Sequence, residues 1–254
     1  MIPSAAGTYD IDLEALIPEG ADRIIIAMHG FCGSKASRCI TMLQKRALAA
    51  DMGLVKFDWP AHGESNAEDE DLTVANCLQD LETVIDKIRG TWPMASLTAF
   101  ATSFGGYIAM LYAADHPEAF DQIILRSPAL RFGEVLREGI LDDDACKDLE
   151  KQGWFLTGFD RKIRVTKAFV EETERIHLAD PFPITAEPGD AKAIIIHGSA
   201  DELVPHVHSV AFAQRNGWEL HTVRGADHRY MGAGQLKEAV SFAMKRVLAR
   251  EQQS

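Results

Sequence analysis

The sequence predicts an α/β fold in which a mainly parallel sheet is flanked by helices. Short apolar, β-branched runs alternate with longer amphipathic stretches from residue 23 onward. Each run is too brief for a helix and almost continuously apolar, as a strand covered on both faces should be. Between about 130 and 189 that rhythm stops, which marks an insertion in the sheet.

The expected strands cover residues 23–28, 54–57, 96–101, 122–125, 193–196 and 219–223. The expected helices cover 37–51, 72–89, 105–115, 205–216 and 235–250. Strands that alternate with helices in this way imply parallel pairing through right-handed crossovers. Residues 130–189 hold no strand pattern but carry charged, helix-like sequence, including Asp142-Asp143-Asp144 and Glu171-Glu172. The segment closes on Asp180-Pro181-Phe182-Pro183 and Glu187-Pro188-Gly189. A helical insertion here would form a lid over the strand ends, with 1–129 and 190–254 as the core. The alternative is one more decorated crossover. Within a lid, Trp154, Phe155, Phe159 and Phe169 would either meet substrate or form the lid's own core.

Composition narrows the classes. The net charge of −12, from 38 acidic and 26 basic residues, repels phosphate backbones and anionic lipid, so neither nucleic acid nor membrane is an expected partner. No apolar run is long enough to span a bilayer, and residues 1–10 lack the basic and apolar blocks of a signal peptide. A cytoplasmic location is therefore expected. The four cysteines, Cys32, Cys39, Cys77 and Cys146, show no zinc-type spacing, and free thiols are the expectation. His206 and His208, two apart, do not share a helical face, and no metal is expected.

Ala101-Thr102-Ser103-Phe104-Gly105-Gly106 ends one strand pattern and opens a helix pattern. A sharp strand-to-helix turn needs small residues two before and two after its apex, and Ala101 and Gly105 fill those places. Ser103 would then stand at the carboxyl end of the sheet over a helix N-terminus, a setting that favours a nucleophile. A serine hydroxyl needs a base, and the base needs an acceptor to orient it. Asp201 follows the strand at 193–196, and His228 follows the strand at 219–223, so both fall at the same sheet edge as Ser103. Glu202 is expected to face solvent. The glycine-rich stretch His29-Gly30-Phe31-Cys32-Gly33-Ser34 follows the first core strand. Its Phe31 N–H, with that of Phe104, is expected to hold an acyl oxyanion. His29 would brace this loop, Cys32 would pack, and Asp58 or His62 would anchor the loop at 58–65.

Four landmarks together resemble the α/β-hydrolase superfamily: His29-Gly30-Phe31, the loop Asp58-Trp59-Pro60-Ala61-His62-Gly63-Glu64-Ser65, the elbow at Ala101 to Gly105, and the pair Asp201 and His228. Within it, the sequence is similar to small serine esterases of the feruloyl, cinnamoyl or monoacylglycerol-lipase type, and to serine aminopeptidase-like hydrolases. The elbow departs from the usual pattern, which has Gly where Ala101 stands. The resemblance implies a helical cap inserted after the sixth core strand, and two-step hydrolysis of a small-molecule ester through an acyl-enzyme on Ser103. No cofactor is implied. Amide, thioester or carbon–carbon hydrolysis on the same triad is the competing chemistry. Peptidase action would require a lid acid such as Glu171, Glu172 or Glu174 to hold the substrate amine. A ligand-binding module without catalysis is the third possibility.

Overall fold

The computed structural model describes residues 1–159, 161–180, 182–185 and 192–249. Pro181, the Glu187-Pro188-Gly189 stretch with the insertion boundary at 189–190, and Arg250 lie outside these residues. A small antiparallel pair, β1 (Ile2–Pro3) and β2 (Asp10–Ile11), precedes β3 (Leu13–Leu16). Then follow β4 (Arg23–Met28), α1 (Arg38–Leu48), β5 (Gly53–Phe57), α2 (Val74–Thr91), β6 (Ser96–Thr102), α3 (Phe104–Asp115) and β7 (Gln122–Arg126). The inserted segment holds α4 (Phe132–Val135) running into a π turn at Leu136–Ile140, α5 (Asp143–Gln152), β8 (Trp154–Thr157), β9 (Ile163–Thr166) and α6 (Lys167–Arg175). The chain then completes the sheet with β10 (Ala193–Gly198), α7 (His206–Asn216), β11 (Glu219–Val223) and α8 (Gln235–Ala249).

The main sheet has seven strands in the order β11-β10-β7-β6-β4-β5-β3, all parallel except the edge strand β3, which runs antiparallel to β5. Alternate residues of each central strand enter different cores. Ile24, Ile26 and Met28 join the face covered by α2, α3 and α7, while Ile25 and Ala27 join the face covered by α1 and α8. Burial on both faces is why these strands read as unbroken apolar runs. From β4 the chain passes through α1 to β5 on one side, whereas β6 pairs with the other side of β4. Loops leaving the carboxyl ends of β4 and β6 therefore diverge, and that crevice is where doubly wound sheets bind ligands.

Three features differ from expectation. The strands β1 to β3 are short, and β3 is a half-exposed edge of sequence Leu-Glu-Ala-Leu without the apolar density of a central strand. The insertion follows the fifth strand of the main sheet in chain order, not the sixth. Its centre is a β-hairpin rather than continuous helix, with β8 and β9 paired antiparallel from Trp154↔Thr166 to Thr157↔Ile163. Each hairpin strand has only four residues, and the charged Arg164 interrupts the apolar signal, so no period-2 run stands out.

Side chains fasten the insertion to the core at several points. The Glu172 carboxylate accepts hydrogen bonds from the N–H groups of Val74 (2.8 Å) and Ala75 (3.3 Å), at the start of α2. Arg164 pairs with Asp69 at 2.9 Å, and the Tyr107 hydroxyl donates to the Ile176 carbonyl at 2.9 Å. Arg161 donates to the carbonyls of Ser65 (2.7 Å), Gly63 (3.3 Å) and His62 (3.5 Å).

Candidate active site

Ser103 is the single residue between β6 and α3, held at φ 52° and ψ −115°. That conformation is costly for a residue with a Cβ and persists because its surroundings determine it. The Ser103 N–H donates to the Arg126 carbonyl at 3.0 Å, and its own carbonyl accepts from the Tyr107 and Ala129 N–H groups, each at 3.1 Å. Position 105 has to be glycine: a Cβ there would stand 2.5 Å from the His29 carbonyl oxygen. Two residues before the apex, Ala101 sits in register with Met28 and Leu125 and is fully buried, so the fold accommodates a methyl at that point. The Ser103 hydroxyl caps no amide of α3. Its Oγ lies 3.1 Å from Nε2 of His228 instead, which separates it from an ordinary helix-capping serine.

His228 and Asp201 arrive on loops after β11 and β10, and those loops lie against each other. A Cβ at Gly198 would collide with the Ala226 carbonyl, and the Ala200 N–H donates to that same carbonyl at 3.0 Å. Nδ1 of His228 is 2.8 Å from Oδ2 of Asp201. The other carboxylate oxygen, Oδ1, accepts from the N–H groups of Leu203 (3.1 Å) and Val204 (2.8 Å). Burial by itself pushes the Asp201 carboxyl upward. Hydrogen bonds from His197 and His228, the charge on His228 and the Val204 N–H outweigh it and hold the acid well below its usual range. Its neighbour Glu202 is exposed.

His197 was not singled out from sequence. This fully buried ring sits at the next-to-last residue of β10 and places Nε2 at 3.1 Å from both Oδ2 of Asp201 and the Val204 carbonyl. Both partners accept, so Nε2 carries a proton, and Nδ1 accepts from the Ser209 hydroxyl at 2.7 Å. Its signal in the sequence was a lone histidine ending the run Ala193-Ile194-Ile195-Ile196 four residues before the acid.

The loop after β4 approaches the elbow so closely that a Cβ at Gly30 would stand 3.1 Å from that of Ser103. Nδ1 of His29 donates to the Gly30 carbonyl (2.8 Å), and its Nε2 accepts from the Trp59 N–H (3.2 Å), so the ring braces two loops. Burial lowers its proton affinity. Asp58 anchors the second loop by accepting from the Lys35 N–H (2.6 Å), the Glu64 N–H (2.9 Å) and the Lys35 ammonium (2.9 Å). That ammonium also reaches Asp12 at 2.6 Å and Glu64 at 2.8 Å, so it occupies the centre of this carboxylate group. His62 is buried with Nδ1 on the Pro60 carbonyl at 2.8 Å, and burial brings its pKa down to about 3. The rings of Phe31 and Phe104 meet edge to face at 5.8 Å, which sets the β4 loop beside the N-terminus of α3. Cys32 lies 4.0 Å from the Thr157 hydroxyl, and burial raises its thiol to about 11, which leaves it protonated.

A cavity of about 850 Å³ opens on Ser103 and His228. Phe31, Phe132, Ile140, Ile163 and Leu203 give it an apolar wall. Of the four aromatics expected to contact substrate, Phe159 lines the cavity. Phe155 and Phe169 do not: both are almost fully buried, Phe155 on the inward face of β8 and Phe169 stacked on Phe31 at 6.0 Å. Trp154 also lies outside the lining, alternating with Phe155 along the same strand and meeting the Arg164 guanidinium at 5.8 Å. The three acids considered for amine binding are engaged or distant. Glu172 caps α2, Glu174 pairs with Arg137 at 2.6 Å, and Glu171 is exposed near Lys167 at 3.9 Å.

A serine raised on a strained turn at the switch point of such a sheet is the plan on which α/β-hydrolases are built, and the chain has the fold of that superfamily. The family described as Hydrolase_4, serine aminopeptidase S33, matches residues 19–142, just under half of the chain. Est1E from Butyrivibrio proteoclasticus, solved with ferulic acid bound, superposes with a TM-score of 0.77 at 23% identity, covering 98% of this chain and 99% of that one. Alpha/beta hydrolase domain-containing protein 10 from mouse gives 0.74 at 18% identity over 97% and 96%. A monoacylglycerol lipase from Paleococcus ferrophilus gives 0.64 at 18% identity over 94% and 98%. A search of curated proteins finds no match. Among the described residues, no helix is long and apolar enough to cross a membrane.

Proposed function

We propose that this α/β-hydrolase is a serine esterase that cleaves small-molecule carboxylic esters through an acyl-enzyme on Ser103. The observation that carries the reading is the continuous relay of Ser103 Oγ to His228 Nε2 at 3.1 Å and His228 Nδ1 to Asp201 at 2.8 Å, at the mouth of a cavity. In the first step Oγ bonds to the ester carbon while its proton passes to Nε2. Asp201 holds the ring in the productive tautomer and stabilises the imidazolium. The N–H groups of Phe31 and Phe104 receive the oxyanion, next to the uncapped N-terminus of α3. Collapse expels the alcohol, which takes the proton from Nε2. Water then repeats the sequence on the acyl-enzyme and releases the acid. His197 acts as a positioning residue, donating to the same carboxylate oxygen, Oδ2, that accepts from His228.

The esterase and lipase among the chains of the same fold support ester chemistry. So does the engagement of Glu172 and Glu174 elsewhere, which leaves the cavity, among the described residues, without an acid to seat a peptide amine. In this reading the inserted segment, 130–189, is a cap that roofs the cavity. Hydrolysis of p-nitrophenyl acetate and butyrate tests the proposal. Ser103→Ala is expected to cost roughly a thousandfold or more in kcat, and a fluorophosphonate should label the native chain and not the variant. Wild-type turnover no faster than the variant's would end the esterase reading.

A further inference from the structure

The cavity is cationic although the protein is acidic. Four arginines line it, Arg38, Arg126, Arg161 and Arg229, and no Asp or Glu does among the described residues. The chain as a whole carries 38 acidic against 26 basic residues, so this local reversal runs against composition. Among the described residues none of the four pairs with a carboxylate. Other arginines do, as Arg137 does with Glu174 and Arg215 with Asp180.

Their placement differs, and the differences matter. Arg126, at the end of β7, is 7% exposed. Its Nη1 donates to the His228 carbonyl at 3.2 Å, its Nε to the Thr102 hydroxyl at 3.5 Å, and its guanidinium lies 4.6 Å from the Tyr230 ring centre. A buried guanidinium has five donors and is costly to leave without a counter-charge, and here its residue is hydrogen-bonded to Ser103 through the backbone and to His228 through the side chain. Arg161 is committed to three loop carbonyls. Arg38, at the first residue of α1, touches the Met231 sulfur at 3.8 Å, and Arg229 lies over the Phe159 ring at 3.7 Å. Both are exposed at the cavity rim and neither is tied to an acid. Low-dielectric walls focus such a field, and guanidinium forks match the geometry of oxyanions.

We infer that the cavity selects esters that carry a second, anionic oxyacid group, in its simplest form a carboxylate, held by Arg126 and the rim arginines while Ser103 attacks the ester. The inference rests on the serine-esterase reading and specifies its substrate class. The apolar wall of Phe132, Ile140 and Leu203 would take the body of the same molecule.

Two matched pairs of rigid esters test it. One is 4-acetoxybenzoate against 4-acetoxybenzamide, with the charge on the alcohol side and the same acetate product. The other is the 4-nitrophenyl half-ester of terephthalic acid against 4-nitrophenyl 4-carbamoylbenzoate, with the charge on the acyl side. In at least one pair the charged member is expected to have about tenfold higher kcat/KM. That preference should shrink in high salt and fall to within about twofold in the Arg38→Gln/Arg229→Gln variant. Calorimetry of the Ser103→Ala protein with the same compounds should show the same preference in binding. Equal or slower turnover of the charged member in both pairs, with no binding preference, overturns the inference. If the wild type cleaves none of the four, the esterase reading fails, and the calorimetric preference, present or absent, decides the anion site independently.

Discussion

Two residues other than glycine with positive φ line the cleft, Cys32 at 57° and Ser103 at 52°, and two more, Ser127 at 44° and Tyr230 at 57°, follow directly on the lining residues Arg126 and Arg229. Strain gathered this way costs about 1–3 kcal/mol per residue and has to be retained by the packing around it. Ser103 is the clearest case, because glycine would hold its backbone without penalty. Ser103→Gly is expected to melt higher than Ser103→Ala by roughly 2–4 °C, a gain of about 1 kcal/mol, with the proposed esterase activity lost in both. Thermal unfolding of the two variants side by side checks this, and a Gly variant that melts no higher would remove the claim of stored strain. At this scale the site was legible where chemistry dictates local spacing. Ser103 was marked by its small neighbours, and Asp201 and His228 by their places after successive strands. Arg126 was not, since it is defined by a partner from a distant strand end, His228, and His197 was not, since only the fold of the turn between them brings its ring onto Asp201.

At the scale of single elements, α2 carries a titrating group inside the core. Its Asp80 is buried, accepts from the Tyr9 hydroxyl at 2.9 Å, and has no partner for Oδ1 among the described residues. Burial, with a smaller push from the Asp71 charge, raises its pKa from 3.8 to about 7 despite the Tyr9 bond. The folded protein therefore keeps a proton between about pH 4 and 7 that the unfolded chain has released. Stability falls as pH climbs through that window and the deficit is complete above it. Asp80→Asn is expected to raise stability at pH 8 by roughly 1–3 kcal/mol and to change little near pH 4.5, as denaturant titration at both values would show. An equal effect at both pH values would rule out the ionisation as its cause. Elements with a dense apolar core face were readable: all six expected strands lie within two residues of the observed ends, and β4 and β11 match at both. The hairpin β8–β9 was not readable, because its stability comes from packing Phe155 and Val165 against the aromatic cluster below and not from a local pattern.

For the molecule as a whole, the question is how the inserted segment is held above the sheet. Its hairpin end is tied down by Arg161, whose charged donors reach three carbonyls of the 62–65 loop. Arg161→Ala removes hydrogen bonds of a type worth about 1.5–3 kcal/mol, yet only at one corner. The expected result is faster protease cleavage within 154–166, with the melting temperature of the sheet lowered by at most about 4 °C. Cleavage elsewhere first, or not at all, would show that other contacts carry the load. The order of strands, and hence the meeting of Ser103, His228 and Asp201, was legible because parallel α/β connections permit few alternatives. The reversal of charge inside the cleft was not, since its arginines come from four separate segments that only the folded chain assembles. With the inserted segment as the proposed cap, an anchor at this corner would hold the doorway to one width. Candidate molecules would be sorted by girth at the threshold, before any bond is broken, and an acyl chain too bulky to pass would be refused however well it suited the serine.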